Sequence, residues 1–427
     1  MVIQTNKSLT TAEAIRNLGL RLFFTENVIM KILSGILLLL MPGLSSARVR
    51  TGVEVLRDGG FEALRGKRVG LVTNPTGVDS ELRSTIDILA EAPEVELAAL
   101  FAPEHGVRGD VPAGARVATS TDPQTGVKVY SLYGATRKPT RQMLAGLDVL
   151  VYDIQDIGCR SYTFISTLGE LMEACAANGV SLMVLDRPNP LGGERVEGPF
   201  VVEPDCRSFV SRYSIPYVYG LTPGELARYL NATELDGRCD LQVVKMEGWE
   251  RSMTFEDTGL VWVPTSPNIP TAETALYYPA TGIMGELGTV NIGANFTMPF
   301  KVALGADFNA AELARRLNAL GLPGVKFRPC HMQIAGKRLQ GVQPVIHSPE
   351  EARLTSLQFY VMQELAAMGA NVLNNAAAAR VEMFDKVCGS RAVRKAFARR
   401  MLAADVEALL ADGEAAWRAA TEPYLLY

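Results

Sequence analysis

From Arg68 onward, short apolar runs alternate with stretches of helical periodicity. Residues 69–73, 95–101, 127–132, 149–153 and 181–186 read as strands. Residues 84–91, a stretch near Arg141 and residues 162–178, stopped by Gly179, read as helices. Strands that are apolar on both faces and separated by helices indicate a mainly parallel sheet covered on both sides. The polar clusters fall directly after the strands: Asn74-Pro75-Thr76-Gly77, Pro103-Glu104-His105-Gly106, 153–156 and 186–193. In an open α/β sheet those loops share one edge, where ligands bind.

Beyond about residue 220 the pattern loosens. Thr222-Pro223-Gly224-Glu225 opens a helix, with Thr as N-cap, Pro in the first turn and Glu at the third position. A Pro- and Gly-rich stretch covers 262–299. Two apolar stripes follow, one of Leu354, Leu357, Val361, Leu365 and Met368, the other of Val406, Leu409, Leu410 and Trp417. The fold class expected is α/β, with a catalytic domain over 48–260 and a smaller α+β auxiliary domain over 261–427.

Composition narrows the class. With 48% hydrophobic residues and 42 basic against 46 acidic groups, the chain is not disordered. It also lacks the basic excess of an electrostatic nucleic-acid binder. Six cysteines without a CxxC pair are too sparse for small disulfide-stapled domains, and nothing in their spacing requires oxidation. Met30-Lys31, the apolar run 32–40 and the small residues Ser45-Ser46-Ala47 have the form of a secretory signal peptide. Residues 1–47 are therefore expected to be a leader, started at Met30 and cleaved near Ala47. The product would be an exported chain with no membrane span.

Much familiar chemistry is missing. There is no GxGxxG after the first strand, no P-loop, no GxSxG and no HExxH, and only three histidines. Neither a cofactor nor a metal is expected. Carboxylates remain, and they point to sugar hydrolysis.

Glu104 follows an apolar strand on a Pro-fixed turn. There a carboxyl held against apolar neighbours would keep the proton that a glycosidic leaving group needs; the alternative is a loop Glu that caps a helix or pairs with Arg108. His105 would position Glu104 or simply hydrogen-bond within the fold. The segment 152–160 places Asp153, Gln155, Asp156 and Arg160 at one strand end. Asp153 and Asp156 would supply a second carboxylate or hold an acetamido group, unless Asp156 caps a helix that Arg160 neutralises. The loop 186–193, with Arg187 and Asn189, would grip sugar hydroxyls or be a turn. Asn291 would line the cleft from the second domain, and Asn74, Thr76 and Tyr162 complete the candidate substrate contacts.

In order along the chain stand GLVTNPTG (70–77), PEHG (103–106), SLYG (131–134), DIQDIGCRSYT (153–163) and DRPNPLGG (186–193). They are followed by GLTPGEL (220–226), WVPTSPNIPT (262–271), GVQ (341–343) and the terminal YLLY. This series resembles the NamZ-type exo-β-N-acetylmuramidases over essentially all of 51–427. The resemblance implies a Rossmann-like catalytic domain, an auxiliary domain and a cleft between them. It also implies removal of N-acetylmuramic acid from the non-reducing end of peptidoglycan fragments, with the Glu of PEHG, here Glu104, as general acid. The family's Ser-Glu-Gly-Arg-Gly-Thr-like block is replaced by GTVNIGANFTM over 288–298, which bears on specificity. The lactyl carboxylate of such a substrate calls for an Arg, for which Arg108, Arg160 and Arg187 are nearest in sequence. The second catalytic group would be Asp153, Asp156 or the substrate's own acetamido oxygen. Two rivals remain: a non-catalytic muropeptide-binding protein on the same scaffold, and a dinucleotide-dependent oxidoreductase.

Overall fold

Alternation within each strand decides which layer a helix joins. In β5 (Val149–Asp153), Val149 and Val151 point into one apolar layer while Leu150 and Tyr152 point into the other. The first layer also takes Val53 and Leu56 from the helix Gly52–Asp58 and Ile86 and Leu89 from the helix Thr85–Glu91. The second takes Leu168, Leu171 and Met172 from the helix Phe164–Asn178, and Leu226 and Leu230 from the helix Pro223–Glu234. Helices thus cover both faces, as strands apolar on both sides require.

This is a computed structural model, and it describes residues 48–104, 106–109, 119–134 and 136–427. The leader expected over 1–47 and the candidate His105 lie outside the described residues. Val49–Tyr427 forms one compact unit.

The other strands of the main sheet are β1 (Arg68–Thr73), β2 (Glu96–Ala102), β3 (Ser120–Thr121), β4 (Lys128–Ser131), β6 (Ser181–Leu185) and β7 (Leu241–Val244). Their order is β3-β4-β2-β1-β5-β6-β7. All neighbours are parallel except the short edge pair β3–β4. Caps follow the sequence closely. Ser84 Oγ accepts from Ile86 N, Gly179 closes its helix at φ 67°, and Thr222 with Glu225 forms a capping box.

A second sheet holds β8 (Ala303–Gly305), β9 (Val325–Ile334) and β10 (Lys337–Ile346) in the antiparallel order β8-β10-β9. Its core takes Leu313 and Leu317 from the helix Ala310–Ala319 and Leu357, Val361 and Leu365 from the helix Leu354–Ala367. Ile157, Cys159 and Tyr217, from loops of the first sheet, join the same core.

Two expectations are corrected. The Pro- and Gly-rich stretch 262–299 contains the helix Ala272–Gly285, with Pro279 inside it. Gln358 bonds both to Pro279 O (2.9 Å) and to Met284 N (2.9 Å), so a buried amide clamps the turn that follows the proline. The expected stripe from Val406 to Trp417 is two helices, Ala404–Ala411 and Glu414–Thr421, separated at Gly413 (φ 88°). Val406 and Leu410 are buried, Leu409 is 37% exposed, and Trp417 packs in the first sheet's core.

Candidate active site

Parallel strands deliver their C-terminal ends to one edge, so the loops after β1, β2, β5 and β6 meet there. Glu104 follows β2 and Asp153 ends β5, with β1 between them, so the two strands lie ~10 Å apart. The carboxylates share a rim but not an environment.

Glu104 is only partly buried. Its loop turns through Gly106, whose φ of 81° favours glycine, and Gly106 N bonds to Pro103 O at 3.2 Å. Because β4 pairs alongside β2, the loop after β4 runs beside it. From that loop the Tyr133 hydroxyl donates to Glu104 Oε1 at 2.9 Å. Burial first, and then the neighbouring Glu104, push the Tyr133 phenol up to about 12, so it remains a donor across the neutral range. Tyr162 stands before the helix Phe164–Asn178 and donates to Thr265 Oγ1 at 2.7 Å. Its ring meets Phe164 and Tyr278 edge-on. Burial raises its pKa, and the charges of both Asp156 and Glu104 add to that rise.

Asp153 is the opposite case. It is fully buried, and both carboxylate oxygens are occupied: Arg187 binds it through Nε and Nη2 (Nη2–Oδ2 2.9 Å), and Thr85 Oγ1 donates to Oδ2. Arg187 also donates to Val78 O at 2.8 Å and is buried itself. The space beside Arg187, Thr76 and Gln155 is about 20 Å³, enough for a water molecule but not a sugar ring.

Asp156 is buried as well. Its Oδ2 accepts from the Tyr219 hydroxyl and from Gly158 N (2.9 Å). Asp156 Oδ1 has no hydrogen-bond partner among the described residues. Burial pushes its carboxyl up to about 6, against the opposing pull of these hydrogen bonds. On the neighbouring strand end, Asn74 Oδ1 accepts from Thr76 N (3.0 Å) and from the Thr76 hydroxyl, while its Nδ2 is unpartnered among the described residues. Thr76 Oγ1 in turn accepts from Gln155 N at 2.9 Å.

Asp186 closes the rim. Gly224 N (2.8 Å), the Thr222 hydroxyl (2.7 Å) and the Tyr427 hydroxyl (2.8 Å) donate to it, and burial lifts its carboxyl to about 7. Asn189 is locked between Leu191 N (3.0 Å) and Leu221 O (3.0 Å). Asn291 Oδ1 accepts from Gly293 N at 2.8 Å, and its backbone bridges Leu304.

None of the three arginines expected to meet a substrate carboxylate is open to one. Arg108 is held by Asp122 (Nη2–Oδ2 3.0 Å) and Asp87 (2.8 Å), and those bonds raise its pKa. Arg187 belongs to Asp153. Arg160 is buried and donates to Pro199 O (2.8 Å), Ile215 O (2.6 Å) and Cys388 O (2.6 Å), tying the loops of the first sheet to the C-terminal helices. Tyr133, Tyr219 and Thr85 are rim residues that sequence reasoning missed. Only Tyr133 had a signal, since the SLYG block follows a predicted strand. Among the described residues no cluster of three or more His, Cys, Asp and Glu is arranged to hold a metal ion. All six cysteines are buried and unbridged.

Known proteins resemble this chain over most of its length. Residues 69–273 match the N-terminal and residues 276–427 the C-terminal family model of the exo-β-N-acetylmuramidase NamZ. The peptidoglycan β-N-acetylmuramidase NamZ of Bacillus subtilis (strain 168) is 49% identical over 302 residues, 69% of this chain and 72% of that protein. Two crystal structures of DUF1343 family proteins from Bacteroides fragilis NCTC 9343 superpose on it. One has a TM-score of 0.85 at 51% identity, the other 0.70 at 26%, and each comparison covers 89% of this chain and 99% of the other. The chain thus belongs to the NamZ family of exo-β-N-acetylmuramidases and is a glycoside hydrolase.

Proposed function

We propose that this enzyme, exported after loss of its leader, releases N-acetylmuramic acid from the non-reducing end of peptidoglycan-derived glycans, with Glu104 as general acid. One observation carries the assignment: of the rim carboxylates Glu104, Asp153, Asp156 and Asp186, only Glu104 is partly open, the other three being at most 2% exposed. A general acid has to touch the leaving oxygen, and geometry precedes pKa in choosing it. The substrate named for the Bacillus subtilis relative and the family match support the sugar. Export is supported by the form of residues 1–47 and by the location of such a substrate. Among the described residues no helix is long and apolar enough to cross a membrane.

The same burial also bears on the second group. Asp153, sealed by Arg187 and Thr85, is a positioning residue that holds the β1 and β6 loops. Asp156 acts through Tyr219 and the strand-end network. The burial of both carboxylates favours the substrate's own acetamido oxygen as the nucleophile. In this scheme Glu104 gives its proton to the leaving glycosidic oxygen as the C1–O bond breaks. The acetamido oxygen closes on C1 to an oxazolinium ion. Water then attacks C1, loses a proton to Glu104 and reopens the ring, so the β configuration is retained. Proton NMR of the first-formed sugar from a β-N-acetylmuramide tests this. The β anomer is expected, together with inhibition by a muramyl thiazoline. The α anomer would exclude the acetamido route, while near-wild-type turnover by Glu104→Gln would remove Glu104 from the mechanism.

A further inference from the structure

One cavity is lined by none of the rim residues Glu104, Tyr133, Asp153 and Asp156. It measures about 490 Å³, inside the range of roughly 300–1,000 Å³ typical of small-ligand pockets. Its floor is built by the helix Phe164–Asn178 and by residues 207–213. Ser208 and Ser211 exchange backbone bonds of 3.3 and 3.0 Å, and Ser166 Oγ donates to Phe209 O at 2.7 Å. The turn that carries Phe209 is therefore closed on itself and anchored to the helix. Gly169 lets Tyr213 lie directly against that helix, since a Cβ there would stand 1.6 Å from the Tyr213 hydroxyl oxygen.

The charges on this floor fall into two sets. Glu170 and Glu173 are neutralised in place: Arg212 binds them at 2.7 and 2.6 Å, and Lys138 binds Glu173 again at 2.8 Å. Arg137, Arg207 and Glu234 also line the cavity, and none of them has an ion-pair partner among the described residues. Arg137 lies over the Phe209 ring, 4.2 Å from its centroid, and Arg207 makes one long bond to Ser214 Oγ (3.3 Å). A guanidinium held by its face keeps its N–H edge for an acceptor. Glu234 comes from the end of the helix Pro223–Glu234, a different element from either cation. Two unneutralised cations and one unneutralised anion on one cavity call for the opposite set on a ligand, two carboxylates and one ammonium.

We infer that this cavity is a second ligand site, for an amino diacid whose carboxylates pair with Arg137 and Arg207 and whose ammonium pairs with Glu234. The recognised groups are the same whether the acid is free or ends a peptide. Each carboxylate and guanidinium can meet through two parallel charge-assisted hydrogen bonds, and the ammonium contact selects against simple diacids. The site goes beyond the hydrolysis proposed above and does not depend on it.

Calorimetry on the full chain tests this with glutamate, alanylglutamate, glutarate and glutamate dimethyl ester. Glutamate or alanylglutamate is expected to bind, and the tighter of the two tells whether the acid is met free or on a peptide. Glutarate, without the ammonium, and the diester, without the carboxylates, should each bind about tenfold more weakly or worse. Arg137→Ala and Arg207→Ala should each weaken the amino diacid about tenfold. Glu234→Gln should weaken it too, but leave glutarate unchanged. Melting temperatures should hold in all three variants, because these side chains are exposed, and so should turnover of a β-N-acetylmuramide. No saturable heat from glutamate or alanylglutamate, equal affinity for glutamate and glutarate, or an equal effect of Glu234→Gln on both would overturn the assignment. Turnover that fell in step with affinity would overturn the separation of this cavity from the catalytic rim.

Discussion

Two neighbouring loops on one sheet edge have opposite fates. The loop after β5, continued by the loop after β6, is dense in charged and amide groups, and nearly all of them are consumed internally. Asp153 is bound by Arg187 and Thr85, Gln155 Nε2 by Asp156 O (2.8 Å) and Pro188 O (2.7 Å), and Asn189 by Leu191 and Leu221. In the loop after β2, Glu104 accepts from the Tyr133 hydroxyl and is only partly buried. Buried polar groups have to be satisfied where they stand, so a polar-rich motif on an apolar rim spends its chemistry on its own backbone. In the proposed mechanism, the partly buried Glu104 is the group that meets substrate.

That contrast can be broken most directly at Glu104. Glu104→Gln should lower kcat by about a thousandfold, within the range for lost general acid catalysis, with the melting temperature unchanged. A large drop in melting temperature would put Glu104 with the sealed carboxylates instead. The reverse pattern is expected for Asp153→Ala. Removing one partner of a buried ion pair leaves Arg187 uncompensated, at a cost of about 3–5 kcal/mol in urea unfolding, while turnover per folded molecule stays within a few-fold. If activity fell before stability did, Asp153 would belong to the reacting groups. Tyr133→Phe removes one hydrogen bond to the general acid without opening a cavity. A decrease of about tenfold in kcat is expected, with little change in melting temperature.

The smallest effect is one of pH. Burial raises Asp156 to about 6 and Asp186 to about 7, above the value near 4 that an unfolded aspartate has. The folded state then binds these protons more tightly than the unfolded one. Their stabilising contribution is full below pH ~4 and is lost as pH rises through about 6 and 7. Thermal melts from pH 5 to 8 should therefore show a wild-type melting temperature that falls relative to Asp156→Asn by a few degrees toward pH 8. A difference independent of pH would mean that Asp156 titrates normally and is not desolvated in solution.

Five strands of the main sheet were legible because their signal is local, whereas the short strands β3 and β7 were not. A run such as 149–153, apolar on both faces, has no stable place except inside a parallel sheet, and the strand spans those same residues. Capping residues such as Ser84 and Thr222 were equally plain, since a cap bonds within three residues of itself. The helix Ala272–Gly285 was not legible, because Pro279 and two glycines outweigh propensity. Gln358, 74 and 79 residues from the groups that it bonds, holds the turn after Pro279. The arginines misled for a related reason, because whether a guanidinium is free depends on partners such as Asp122, 14 residues from Arg108, or Cys388, 228 residues from Arg160.

By itself the sequence determined the α/β class, the parallel order of strand and helix, the edge on which the polar loops gather, and the family through its ordered blocks. Hydrophobic periodicity and short-range motifs encode these directly. The tertiary structure alone decided which rim carboxylates are buried and which is only partly so. It sealed Asp153 with an arginine 34 residues away, engaged the three expected arginines with other partners, and set Tyr133 against Glu104 across 29 residues. Accessibility and charge pairing are properties of the space between segments, and no window of sequence contains that space.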